Sequence, residues 1–146
     1  MSTADERSSQ AALADFVIWK THTTHDIGSN QDAYGFSNTE QLDCDYVDKH
    51  MKEQPAHDDI SQWWGVRCKG CNEHHPTVIE WHNEMGHFTA YENRGWAMVD
   101  TSDNVKGHCG RPDGIETYDC NFFGATTHLE LMIRCDNDYN SDPIND

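Results

Sequence analysis

The chain has 146 residues, with ten Lys and Arg against 26 Asp and Glu, a formal charge of −16. That balance repels phosphate backbones and anionic lipid headgroups, which excludes sequence-independent nucleic-acid binding and docking to an anionic membrane. Its apolar runs fall far short of the roughly 20 residues that cross a bilayer, and MSTADERSSQ is not followed by the apolar core of a secretory signal. Hydrophobic residues make up 36%, but five Trp, five Tyr and five Phe supply large pieces for a small aromatic core in one domain.

Residues 1–9 read as a flexible N-terminus, residues 10–135 as one domain and residues 136–146 as an acidic tail. In QAALADFVIWK (10–20), Ala12, Leu13, Phe16, Val17 and Trp19 fall at helical spacing, which predicts a short helix; a strand over 16–19 is the competitor. THTTHDIGSNQDAYGF is rich in turn residues and predicts a long loop. SNTE (37–40) has the form of a capping box, so a second helix is expected to run through LDCDYVDKHMKEQ until Pro55 ends it.

Past residue 60 the period shortens to two. TVIEWH, HFTAY and WAMVD, separated by NEMG and ENRG, predict a three-stranded antiparallel meander. ETYDCNFF and THLELMIR add two strands, with Leu129, Leu131 and Ile133 expected on one face and His128, Glu130 and Met132 on the other. The expected fold is α+β: N-terminal helices, then an antiparallel meander carrying a zinc-knuckle-like C-x-x-C turn.

That turn is CKGC, Cys68 to Cys71, in WGVRCKGCNEHH. Two cysteines three apart with a glycine between them can converge on one tetrahedral ion. The stretch 64–71 resembles the knuckle of zinc-ribbon and treble-clef proteins, over fewer than a dozen residues. A ribbon would supply a second C-x-x-C; here the later thiols are Cys109 and Cys120, flanking a GRPDG turn, and Cys135. The expected site is a structural Zn²⁺ held by Cys68, Cys71, Cys109 and Cys120, with His74, His75 and His108 as substitutes. The same CKGC also reads as a plain hairpin turn or as a redox pair. Cys44, in register with Val47 and Met51, is expected to be a buried thiol. If the given start is native, a reducing compartment such as the cytoplasm is expected, where six cysteines read as metal ligands or buried thiols before disulfides; if a leader has been removed the order reverses, and they allow 15 disulfide connectivities.

Ten histidines are the second unusual feature. His82, Glu84 and His87 carry metal-site letters, but they straddle an expected hairpin, so the helical H-E-x-x-H geometry is excluded. His22, His25 and Asp26 form a loop cluster that reads as a solvated loop before it reads as a metal site. Asp136, Asp138, Asn140 and Asp142 match the first positions of a calcium loop, but the turn glycine and the terminal glutamate are missing, so Ca²⁺ is not expected there.

Trp63 and Trp64 stand immediately before the knuckle; exposed, they would anchor a protein partner. With no intact catalytic constellation, the sequence points to a small acidic zinc-stabilised protein that binds another protein and is not an enzyme. Two alternatives explain other features. A DNA-mimicking inhibitor, the device of a viral accessory protein, would explain the charge; a metal-dependent hydrolase or nuclease would use the histidines.

Overall fold

The computed structural model describes residues 16–137. Strands β1 (Phe16–His25) and β2 (Asn30–Ser37) form a hairpin, followed by helix α1 (Cys44–Lys49) and strands β3 (Lys52–Pro55) and β4 (Gly65–Lys69). Then come β5 (Val78–Asn83), β6 (Gly86–Tyr91), β7 (Ala97–Asp100), β8 (Val105–Gly110), β9 (Thr117–Phe122) and β10 (Ala125–Asn137). They form one antiparallel sheet in the order β3-β2-β1-β10-β8-β7-β6-β5-β4, with β9 also paired to β10.

The sheet curls until its edge strands meet. Ala56 bridges Val66 in parallel, and the His57 N–H donates to the Val66 carbonyl at 3.0 Å. Gly65 permits this approach, since a Cβ there would stand 2.9 Å from the Pro55 carbonyl oxygen. Meeting edges leave few unpaired backbone groups to template aggregation.

The nearly closed, barrel-like sheet encloses an aromatic core. Trp81 is fully buried, with its ring 5.6 Å from Phe16, 6.3 Å from Phe36 and 6.1 Å from Phe88. A second cluster lies on the other face of β1, β10 and β9, where α1 packs Val47 against Val17, Trp19, Leu129 and Leu131.

The expected α+β fold is therefore corrected to an almost all-β one. The expected helix over residues 10–20 is strand β1 from Phe16 onward; residues 10–15 lie outside the described part. Phe16, Val17, Ile18 and Trp19 are all buried because β1 has core on both faces, so its run of apolar residues carries no alternation. The loop expected next is a paired hairpin. The second helix shrinks to six residues capped by Asp43, whose carboxylate accepts from the Tyr46 N–H at 2.8 Å. Ser37, the expected cap, ends β2 instead; its hydroxyl accepts from Trp19 Nε1 at 2.9 Å and donates to the Thr39 carbonyl at 2.7 Å.

Strands β5, β6 and β7 pair consecutively, as a segment of the larger sheet. In β10 the register jumps over Met132, opposite Ile18 and Trp19, so Ile133 joins Met132 in the barrel core while Leu129 and Leu131 face the helix. The expected flexible N-terminus at 1–9 lies outside the described residues, as does the calcium-like pattern after Asp136; β10 itself runs through Asn137.

Candidate functional site

Two features of the seam between β3 and β4 stand out: a disulfide-bearing turn beside a cleft, and an aromatic loop. β3 is short, ending at Pro55, which has no N–H to continue the ladder. Beyond it β2 has no neighbour on that side among the described residues, and a cleft of about 310 Å³ opens toward β4. Lys20 of β1, Asp32 and Tyr34 of β2, His57 and Asp58 of the loop, and Arg67 and Cys68 of β4 line it.

All six cysteines stand in disulfide pairs: Cys44–Cys120, Cys68–Cys71 and Cys109–Cys135. The expected four-cysteine zinc site is thereby corrected. Cys68 and Cys71 bond each other, whereas Cys109 and Cys120 go to separate partners on β10 and α1. A sulfur in a disulfide is not the thiolate that zinc requires. The substitutes are dispersed as well: His74 binds Glu130, His75 lies 3.6 Å from Glu92, and His108 is on β8 opposite Ala97. No group of three or more His, Cys, Asp or Glu among the described residues is placed to hold a metal ion. Zinc, and the fold it was to stabilise, both fall. His22 of the loop cluster pairs with Asp32 across the β1–β2 hairpin at 2.6 Å, while His82 and His87 stack with ring centroids 4.6 Å apart.

The CKGC turn is held by more than its disulfide. Gly70 has φ +86°, and a Cβ there would fall 2.2 Å from the His75 carbonyl oxygen, so only glycine fits. The His75 N–H donates to the Gly70 carbonyl at 2.9 Å, and the Thr77 N–H to that of Lys69 at 2.9 Å. His74 Nδ1 donates to both oxygens of Glu130, at 2.7 and 2.8 Å; that carboxylate is buried on β10. Arg111 clamps the same place, Nη1 donating to the Met132 carbonyl and Nη2 to the His74 carbonyl at 3.1 Å. A buried carboxylate needs such a hydrogen-bond donor, and the Arg111 guanidinium interacts with it through charge as well.

Segment 56–64 runs from the seam to Trp64. Ile60 anchors it, buried, with its carbonyl bonded to His82 Nδ1 at 2.8 Å. Trp63 and Trp64 point outward, 63% and 53% exposed. Asp59 accepts from both the hydroxyl and the N–H of Ser61, at 2.7 and 3.0 Å; these bonds hold its carboxyl below the usual range.

Sequence reasoning singled out Cys68, Cys71, Trp63 and Trp64 but missed Lys20, Arg67 and their convergence with His57. No local pattern marks them, because strand register and seam closure bring them together from three separate segments. Compared with family models, curated proteins and solved structures, the chain matches none.

Proposed function

We propose that this protein is a disulfide-held binding module that recognises a basic surface on another protein through segment 57–64. The observation that carries the reading is the exposure of Trp63 and Trp64 in a loop that buries Ile60. Leaving a large apolar side chain in water forgoes about 2 kcal/mol of burial. Trp is also the residue most enriched among dominant interface anchors. Asp58 and Asp59 precede the two tryptophans in the same segment, and the −16 charge of the whole chain steers it toward cationic partners. The occupant is therefore a basic protein face with an apolar pocket. Proteins that handle nucleic acids, whose phosphate-binding faces are basic, form the first panel.

The six paired cysteines support an oxidising compartment as the place of action. The expectation of a reducing one rested on taking the given start as native. No helix among the described residues is long and apolar enough to cross a membrane.

The test is binding to that panel by Trp63→Ala/Trp64→Ala beside the unmodified protein, at two salt concentrations. The double variant should keep its melting temperature and weaken binding by about 30-fold or more. Salt should slow association. Equal binding by the double variant, or association indifferent to salt, would overturn the reading.

A further inference from the structure

We propose that Cys68–Cys71 is a redox-active disulfide that accepts two electrons from a dithiol presented at the adjoining cleft. The other two disulfides join distant parts of the chain, across separations of 76 and 26 residues, and tie β9 to α1 and β8 to β10. Cys68–Cys71 spans three and joins no separate element. In the chain-entropy account it restrains the unfolded chain least of the three. The turn it closes is already fixed by Gly70, by the bonds from His75 and Thr77, and by the Glu130 and Arg111 clamps on His74. A bond so nearly redundant for the fold can open and re-form without disturbing it.

The two sulfurs are unequal. Cys68 is partly exposed and lines the cleft, whereas Cys71 is buried against the core. An incoming thiolate therefore meets Cys68 first. Two cations face the same space: Lys20, which has no ion pair among the described residues, and Arg67, whose guanidinium is held by Glu80 at 2.7 Å. Asp32 and Asp58 line it with opposite charge. Nearby cations favour a thiolate over a thiol.

A thiolate of the dithiol attacks Cys68 Sγ; the Cys68–Cys71 bond breaks, and its electron pair leaves on Cys71 Sγ, which takes up a proton. The second thiol of the substrate, losing its proton, attacks the substrate sulfur of the mixed disulfide and releases Cys68 as a thiolate into the cleft that Lys20 also lines. The dithiol is oxidised to a disulfide, and CKGC gains two electrons.

The first experiment needs no variant. The oxidised full chain is equilibrated with graded dithiothreitol, quenched with iodoacetamide, and its six cysteines are scored by peptide mass spectrometry. Cys68 and Cys71 should become labelled at dithiothreitol concentrations about tenfold or more below those that label the other four. Simultaneous labelling of all six, or Cys68 and Cys71 last, would overturn the proposal. The second experiment uses Cys71→Ser and Cys68→Ser with Ellman's reagent. Cys71→Ser should form the mixed disulfide at Cys68 rapidly, and Cys68→Ser slowly at Cys71; equal rates would refute the assigned order of attack. Lys20→Met, at unchanged melting temperature, should slow alkylation of reduced Cys68 at neutral pH about threefold or more. An unchanged rate would remove Lys20 from the site.

Discussion

Tyr34 belongs to the core and to the cleft at once, and its titration separates the two. It pairs in register with Lys20 on the sheet, and its ring lies in the aromatic cluster. Burial, and then the charge of Asp32, push its pKa up to about 12. An unfolded tyrosine titrates near 10. The folded state thus prefers the neutral phenol, so its contribution is fully present below about pH 10 and disappears as pH rises through about 12. That difference in proton affinity is equivalent to at most about 2–3 kcal/mol of stability. Lysines titrate in the same window, so the measurement is a difference: urea midpoints of the native chain and of Tyr34→Phe at about pH 9 and about pH 11.5. The native chain should lose more stability than the variant over that interval. Parallel losses would mean that the phenol is solvated in the folded protein.

At the scale of elements, legibility followed the number of faces a strand buries. β5 and β6 alternate buried and half-buried residues and are bounded by turn residues, so the period of two was visible. β1 buries Phe16 through Trp19 on both faces, and its apolar run imitates a helix. SNTE has the letters of a capping box, but the Trp19 indole and the Thr39 carbonyl occupy the Ser37 hydroxyl. CKGC was legible as a tight turn, whereas its oxidation state was not. That depends on where Cys44, Cys109, Cys120 and Cys135 lie, which is decided by pairings up to 76 residues apart. The Cys44–Cys120 bond also explains how a six-residue helix, too short to persist alone, stays on the sheet. Closing 76 residues should contribute about 4 kcal/mol. Cys44→Ser/Cys120→Ser should therefore lower guanidinium stability by about that amount. A loss below about 1 kcal/mol would show that Val47 and its neighbours hold α1 without the bond.

For the molecule as a whole, sheet closure and charge pull in opposite directions. Closure from β3 to β4 assembles a site that no stretch of sequence announces, since Lys20, His57 and Arg67 meet only when the two edges do. The charge was legible from composition, and its consequence can be measured. Lys49, Arg67, Arg94 and Arg134 pair with Asp45, Glu80, Asp103 and Glu40, but ten basic residues cannot neutralise 26 acidic ones. Exposed pairs of this kind contribute little, whereas like charge confined to a compact barrel repels itself and disfavours the folded state. Salt shortens the screening length from about 30 Å at 0.01 M to about 10 Å at 0.1 M. Raising sodium chloride from about 0.01 to about 0.3 M should therefore raise the melting temperature by several degrees. Sodium sulfate at equal ionic strength separates screening from solute exclusion, which sulfate promotes and chloride does not. Similar rises in both salts would confirm self-repulsion; no rise in chloride would show that the acids are spaced widely enough to be harmless. Over the same range, binding to a basic partner through Trp63 and Trp64 should weaken, because screening that relieves repulsion within the chain also removes attraction between chains.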